Sequence, residues 1–197
     1  MCCLSTLPLS GAPLYRVGAP KPQDDFVHWE VSAEGVFSSA EVEDSDGNKA
    51  LNGARGVGLR TTYALRPWLA LGAEGLHFKK QTFGPFVKRY EAERVGILAK
   101  ITLSPDTSPR AYAVLGAGKN FYSLTYGKTM ASAHWKKTKK SASYVQLGLG
   151  LETDIWKAWF IGAEGDIFYG RKTGLGRYYQ TGKTWEALGR LRTGIRF

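Results

Sequence analysis

The chain has 197 residues, a length that suits one domain, and its composition excludes several classes of protein. The only two cysteines, Cys2 and Cys3, are adjacent, so a disulfide framework is excluded, and no apolar run is long enough for a transmembrane helix. The formal net charge of +10 at pH 7 suggests a nucleic-acid-binding role, but no nucleic-acid-binding module is recognisable, which argues against that role.

The N-terminal segment differs in composition from the rest of the chain. It begins MCCLSTLPLSGAP, which is apolar and contains small residues at Ser10, Gly11 and Ala12, but no positively charged residue precedes them. We interpret residues 1–24 as a signal-peptide remnant or a disordered N-terminal segment, and residues 25–197 as the folded domain.

Hydrophobic and polar residues alternate with a period of two from residue 25 onward, which is typical of β-strands. In the first segment, Trp29 and Val31 alternate with Glu30 and Ser32. In the fifth segment the alternation is least clear, and we take Lys119 as a marker of its polar face. The pattern predicts eight strands, at about 25–38, 53–66, 68–79, 91–104, 110–123, 142–154, 157–170 and 185–197.

The connections between these segments alternate in length. Short connections at one rim and long loops at the other predict an up-and-down antiparallel barrel, with both chain termini at the short-turn rim. The short connections are 66–67, 104–109 and 154–157, and the long ones are 39–52, 80–90, 124–141 and 171–184.

The last thirteen residues carry the most specific signal in the chain. Hydrophobic or small residues, including Trp185 and Leu191, alternate with charged ones, including Arg190 and Arg192, and the chain ends on Phe197. This resembles the C-terminal signature of bacterial outer-membrane β-barrels. The chain as a whole resembles the small barrels of the OmpA/OmpX kind, a group often labelled porin-like.

The resemblance implies an all-β fold, an eight-stranded antiparallel up-and-down transmembrane β-barrel over residues 25–197. It implies a location in the Gram-negative outer membrane, with periplasmic termini and extracellular long loops. It also implies contact with outer-membrane lipids and lipopolysaccharide, and recognition of the C-terminal strand, which ends in Phe197, by the barrel-assembly machinery. We expect the protein to be a monomer.

The parity of the charged residues predicts what fills the lumen. An eight-stranded barrel encloses a lumen just wide enough for side chains. A charged residue that faces lipid near the midplane costs roughly 2–4 kcal/mol, whereas inside the barrel it can be paired. We therefore predict a plugged lumen with a charge network made of Glu30, Glu34, Arg60, Glu74, Arg94, Lys100, Glu152, Glu164, Asp166, Glu186, Arg190 and Arg192.

Aromatic residues on the opposite parity predict the two interfaces of a membrane. Bands of aromatic side chains flank an aliphatic belt in such barrels. The alternative, that these rings form the core of a soluble barrel, would require a lumen larger than eight strands enclose. The predicted girdle residues are Trp29, Phe37, Tyr63, Tyr112, Tyr122, Trp159, Tyr169, Trp185 and Phe197.

The excess positive charge lies mainly in the predicted long loops. A lysine-rich collar at that rim would attract lipopolysaccharide phosphates or another polyanion. The alternative is a solvated loop surface without a partner. The residues predicted to contact a polyanion are Lys128, Lys136, Lys137, Lys139 and Lys140.

Catalytic and metal-binding patterns are weak. His28 and Ser32 share a predicted strand face, but four residues of extended chain separate them by about 13 Å, too far for a nucleophile and its base. His134, close to Ser132 and Ser141, resembles the loop histidine of palmitoyl-transferring barrels only loosely. Adjacent cysteines and scattered histidines make no metal site, so we expect no metal, no cofactor and no enzymatic activity.

The leading hypothesis is a non-enzymatic envelope protein whose basic surface loops act in envelope stabilisation, adhesion or lipopolysaccharide contact. The alternatives are a lipid-modifying outer-membrane enzyme, a narrow porin-like solute channel, and a soluble lipocalin-like carrier.

Overall fold

The computed structural model describes residues 28–81, 87–127, 136–156, 158–175, 178–181 and 184–197, without the side chains of 50–52 and 80–81. The N-terminal segment expected at 1–24, and the loop residues Lys128 and His134, lie outside the described residues. Within the described ranges, no helix is long and apolar enough to cross a membrane.

The described residues form nine β-strands, and alternation of side chains between two faces is visible along all the long ones. Their bounds are β1 (Trp29–Asp44), β2 (Lys49–Arg66), β3 (Leu69–Gln81), β4 (Val87–Thr102), β5 (Arg110–Tyr126), β6 (Lys136–Trp156), β7 (Trp159–Gly170), β8 (Tyr179–Thr181) and β9 (Trp185–Arg196).

The strands close into a barrel. From β1 to β7, each strand pairs antiparallel with the next one in sequence. Strand β9 then pairs with both β7 and β1, so the ring contains eight strands, while the short β8 lies outside the ring and, among the described strands, pairs with the end of β1. Closure gives the backbone N–H and C=O groups partners within the sheet, as a hydrocarbon environment requires. The predicted eight-stranded antiparallel barrel is confirmed.

The strands extend further toward the long-loop rim than the sequence predicts. Strand β1 continues to Asp44, β5 to Tyr126, and β6 begins at Lys136 rather than near residue 142. The predicted long loops are therefore too long, because much of 39–52 and 124–141 lies in strands. We call the part of the barrel built from 39–44, 87–91, 123–126 and 136–141 the extension.

The wall next to the short turns has an apolar outer face. A contiguous band of exposed aliphatic side chains of this extent needs a non-aqueous surrounding. Its members include Val31, Leu59, Leu71, Ile97, Leu115, Leu147, Leu149, Leu151, Ile161, Ile167 and Leu191. The inner face of the same wall is mostly polar, although Leu98, Tyr112, Val114 and Phe160 are also buried there. Its polar side chains are called here the charged section of the lumen, formed by Glu30, Ser32, Glu34, Arg60, Thr62, Glu74, Lys100, Glu152, Glu164, Asp166, Arg190 and Arg192.

Polarity reverses toward the long-loop rim. There the lumen is filled by a single hydrophobic cluster, called here the apolar section, which contains Val36, Val42, Leu76, Phe78, Val87, Tyr90, Tyr122, Leu124, Tyr126, Tyr144, Phe168, Leu175, Tyr179 and Leu188. The outer face of the extension is polar, as at Ser123, Lys137 and Lys139. The extension is therefore constructed like a soluble barrel, with an apolar core and a hydrated surface.

Two inward tyrosines explain several of the luminal glycines. A Cβ atom at Gly150 would clash with the ring of Tyr112, and one at Gly96 or Gly118 would clash with the hydroxyl of Tyr144. The missing side chains let each phenol lie across the neighbouring strand, so these glycines serve close packing inside a narrow lumen.

Luminal charge network and candidate surface site

Seven of the nine predicted girdle residues are exposed at the two rims. Trp29, Tyr63, Trp159 and Phe197 lie at the short-turn rim, and Phe37, Tyr169 and Trp185 lie toward the long-loop rim. At the first rim, Trp29 packs edge-on against Tyr63 with ring centroids 5.0 Å apart. The backbone N–H of Trp29 donates to the Phe197 carbonyl at 2.8 Å, and the backbone N–H of Phe197 donates to the Trp29 carbonyl at 2.9 Å. These two bonds fix the end of the final strand beside the start of the first.

The two remaining girdle predictions, Tyr112 and Tyr122, are wrong. Both side chains are buried in the lumen, and Lys119, which was assigned to the inner face of β5, is exposed on the outer face. Lys119 misled the assignment because it lies toward the polar extension, where an outward charge is tolerated. Asn120, on the same row as Tyr112, is buried and marks the true inner face, and Phe121 provides the aromatic ring on the outside.

The structure places all twelve residues of the predicted charge network on the luminal side, and at its centre two arginines share four carboxylates. Arg60 donates two hydrogen bonds to Glu164, each 2.7 Å long. Arg190 Nη1 donates to Glu34 and Glu74, both at 2.8 Å, and its Nε donates to Asp166 at 2.6 Å. Because each charge is buried and met by opposite charges, the desolvation cost of the cluster is offset by its pairing.

A second cluster lies nearer the short-turn rim. Lys100 Nζ is 2.8 Å from Glu152 Oε2 and 2.9 Å from Glu30 Oε2. The ammonium group of this β4 residue therefore links β6 and β1, which are not neighbouring strands. Arg192 contacts Glu30 as well. Arg196 Nη2 is 2.6 Å from the same Glu152 carboxylate.

Three residues of this cluster were absent from the predicted network. Arg196 pairs with Glu30, Glu152 and Asp154, and Arg110 Nη2 donates to Asp154 at 2.7 Å. Arg196 has the same parity as Arg190 and Arg192, so the alternation of the final strand was sufficient to find it. Asp154 and Arg110 lie at strand ends, where alternation loses its predictive value.

Arg94 marks the boundary between the charged and apolar sections. Its Nη2 donates to Glu186 at 2.9 Å and its Nε donates to Asn120 at 2.6 Å. Its guanidinium carbon is 4.0 Å from the ring centroid of Phe168 and 5.3 Å from that of Tyr144. The guanidinium plane thus joins an ion pair on one side to aromatic faces on the other.

Four of the five lysines predicted to lie in a loop are on a strand, and the fifth, Lys128, lies outside the described residues. The start of β6, which pairs with the end of β5, contains Lys136, Lys137, Lys139 and Lys140, and all four are exposed. None of them makes an ion pair with another described residue, whereas Lys49, on the opposite part of the rim, is 3.1 Å from Glu41. The β6 lysines form a surface of unpaired positive charge, called here the lysine patch, and Glu91 and Glu93 line the same groove as Lys137, Lys139 and Lys140 without an ion pair to them.

The pattern of an apolar outer band, aromatic rims and a charged lumen corresponds to a known family. The family model described as outer membrane protein beta-barrel domain matches residues 5–183. The chain belongs to this family. Membership places this outer-membrane barrel in the Gram-negative outer membrane, where its apolar band faces lipid.

Solved structures support the fold of this outer-membrane barrel. Neisserial surface protein A is 13% identical, with a TM-score of 0.54, covering 86% of this chain and 97% of that one. Ail, the attachment invasion locus protein of Yersinia pestis, solved with the heparin analogue sucrose octasulfate, is 16% identical, with a TM-score of 0.53, covering 86% and 99%. At these identities the likeness establishes the fold alone. No curated protein matches the chain.

Proposed function

We propose that this protein is a non-enzymatic surface barrel, closed to solutes, whose extension lies outside the cell and contacts the phosphate groups of lipopolysaccharide. The observation that carries the proposal is the lysine patch of Lys136, Lys137, Lys139 and Lys140, whose charges have no acidic partner among the described residues. Uncompensated cations at a membrane surface attract phosphate-bearing lipids. Contact with several lipopolysaccharide molecules at once would stabilise the envelope.

The contents of the lumen favour a closed barrel over a channel. The side chains of Arg60, Glu34 and Arg190 are fully inaccessible to solvent at the centre of the charged section. Beyond them, the apolar section fills the described lumen up to Leu124 and Leu175, which are also inaccessible. A conducting path would have to displace both sections, so we expect no conductance above background in planar bilayers.

The distribution of charge supports one orientation of the barrel in the membrane. Both termini of the barrel domain, near Trp29 and Phe197, lie at the short-turn rim, and the lysine patch lies at the opposite rim. We propose that the short-turn rim is periplasmic and that the protein acts as a monomer, since the described exterior of the lipid band is occupied by aliphatic side chains suited to lipid. We also propose that the barrel-assembly machinery recognises the strand that ends in Phe197.

Replacing all four lysines of the patch by glutamine tests the proposal. The refolded variant is compared with the wild type for binding to phosphatidylcholine vesicles that contain lipopolysaccharide, with or without its phosphates. Because each exposed ion pair contributes about 0.2–1 kcal/mol, we expect binding to weaken by about tenfold or more, and the wild-type affinity to fall as salt is added.

A matched variant removes the same charge elsewhere on the rim, with Lys49, Arg55, Lys79 and Lys88 changed to glutamine. This control should bind nearly as well as the wild type. Equal weakening by the two variants, or no weakening by either, would contradict a role for the lysine patch. Preferential binding of heparin by the wild type, without binding of lipopolysaccharide, would instead favour adhesion to sulfated glycans.

A further inference from the structure

In the part of the chain that the structure describes, the barrel wall has an opening beside the lysine patch. The ladder between β6 and β7 starts at the pair Tyr144 and Gly170, although β6 itself starts at Lys136. From Lys136 to Ser143, β6 pairs with β5 on one side and has no described strand on its other side. Along this edge the described strands supply no partner for the backbone N–H groups that point away from β5.

The chain turns away from β6 after β7 and leaves a cleft. Thr181 N–H donates to the Thr173 carbonyl at 2.9 Å and Leu175 N–H donates to the Tyr179 carbonyl at 2.6 Å, so 173–175 and 179–181 form a small hairpin. The hairpin is anchored away from β6, because β8 pairs with the end of β1. Between the hairpin and the edge of β6 lies an open cleft of about 880 Å³.

The side chains that line this cleft are basic or neutral, and none of them is acidic. They include three cationic side chains and three hydroxyl groups. Lys172 Nζ lies 3.6 Å from Glu43, whereas Lys140 and Arg171 have no acidic partner among the described residues. Its lining residues are Lys140, Ser141, Ala142, Ser143, Arg171, Lys172, Thr173 and Gly174.

The level of the cleft relative to the membrane indicates which class of anion it meets. Val145 and Tyr169 face each other across β6 and β7 and are both exposed, at the upper border of the lipid-facing band. Ser143 and Arg171 lie two residues beyond them, so the cleft opens directly above the aromatic rim. This is the level at which the phosphorylated sugars of an outer-leaflet glycolipid are found.

We propose that the cleft between β6 and the hairpin of 173–175 and 179–181 is a binding site for a sugar phosphate, supplied by the head group of the outer-leaflet glycolipid. This inference rests on the proposed function and narrows it from a charged surface to one site. Arg171 and Lys140 pair with the phosphate, as guanidinium and ammonium groups do, while Ser141, Ser143 and Thr173 bind sugar hydroxyls or phosphate oxygens. The backbone N–H groups of the β6 edge that no described strand pairs add donors of the kind that bind anions.

The test compares two triple variants with the same change in charge. The cleft variant carries Lys140→Gln, Arg171→Gln and Lys172→Gln, and the outer-face variant carries Lys119→Gln, Lys137→Gln and Lys139→Gln. Each refolded protein in zwitterionic detergent is titrated with bisphosphorylated lipid A, with dephosphorylated lipid A, and with glucose 1-phosphate. Heat-modifiable migration on electrophoresis verifies that both variants are folded.

We expect the cleft variant to bind bisphosphorylated lipid A about tenfold more weakly than the outer-face variant. Only the cleft variant loses side chains that donate charge-assisted hydrogen bonds to the phosphate. Wild-type binding should drop when the lipid phosphates are removed. Glucose 1-phosphate should compete for the same site if the phosphate and sugar alone are recognised, and fail to compete if the acyl chains are also needed.

Equal weakening by the two triple variants would overturn the cleft site but leave the lysine patch intact as a diffuse polyanion surface. Unchanged lipid A binding in both triple variants and in the quadruple patch variant would overturn the cleft and the proposed function together. A third outcome, in which an acidic peptide but no sugar phosphate binds at the β6 edge, would overturn the assignment of the ligand and indicate strand addition instead.

Discussion

The two ends of this barrel bury opposite kinds of side chain on one continuous sheet. In the charged section, residues such as Arg60 and Glu164 point inward and Leu59 and Ala163 point outward. In the extension the order is reversed, since Leu124 and Tyr126 point inward and Ser123 and Thr125 point outward to water. Strands β1, β4, β5 and β6 run through both ends, so the surrounding solvent, and not a change of strand, determines which row is apolar.

The comparison also separates two sources of stability. Within the lipid band, the lumen is held by specific ion pairs, in which each charge depends on its partners. In the extension, the lumen is held by burial of apolar area and by aromatic contacts, such as the 5.2 Å edge contact between Tyr126 and Tyr179. The same kind of substitution should therefore have different consequences at the two ends.

The largest effect is expected from breaking the centre of the charged section. Arg190→Met keeps most of the side-chain volume but leaves Glu34, Glu74 and Asp166 without a shared cation. Removing one partner of a buried ion pair costs about 3–5 kcal/mol. The free energy of unfolding, measured by urea titration in phospholipid vesicles, should fall by that amount, while Arg55→Met on the outer face serves as the control. A loss below 1 kcal/mol for Arg190→Met would mean that the network is not held by pairing.

A smaller effect is expected from placing a charge on the outer face of β5. Leu115→Arg puts a guanidinium in the lipid band and should reduce the free energy of unfolding by about 2–4 kcal/mol. Ser123→Arg, on the same row of the same strand but in the extension, should change it by about 0–1 kcal/mol, because that side chain meets water. Similar losses at the two positions would indicate that the lipid boundary does not lie between them.

A cavity in the apolar section should have a local effect. Leu124 is fully buried, and Leu124→Ala is expected to cost about 2–3 kcal/mol, the low end of the range for such substitutions, because the extension can open without unfolding the membrane part. Hydrogen exchange should accelerate at the ends of β5 and β6 near Tyr126 and Lys136. If amides around Leu115 accelerate equally, the two sections unfold as one cooperative unit.

The sequence was sufficient for the barrel but insufficient where polarity changes. Alternation located all eight long strands because lipid imposes the same outward apolar row over most of the chain, and the same rule placed Glu34, Arg60 and Arg190 inside. Near the extension the apolar row moves from outside to inside. The alternation rule assumes that lipid surrounds every strand along its whole length. Applied near the extension, it assigns Tyr122 to the lipid face and the start of β6, at Lys136, to a loop.

Pairing within the lumen depends on a different kind of information. Arg60 bonds Glu164, 104 residues away in the chain, because strand stagger and closure bring the two side chains to the same level. The sequence contains both residues but not the stagger. The cleft beside β6 cannot be predicted from the sequence for a similar reason. It lies where β6 extends toward the long-loop rim beyond the last residue of β7, and strand ends are the least predictable feature of such a pattern.

The smallest effect concerns the exposed turn that joins β1 and β2 at the tip of the extension. Asp44 Oδ1 accepts hydrogen bonds from the backbone N–H of Asn48 at 2.8 Å and of Asp46 at 2.9 Å, and these bonds lower the pKa of the Asp44 carboxyl. A carboxyl whose pKa is lower in the folded state stabilises that state above its ordinary pKa, and the stabilisation is lost as the pH falls through the folded value. Exchange of the Asn48 amide should therefore accelerate below about pH 4, beyond the intrinsic pH dependence of exchange, and Asp44→Asn should remove this acceleration. A pH dependence that persists in Asp44→Asn would assign it to another group, and an effect that spreads to amides of the charged section would contradict the separation of the two ends.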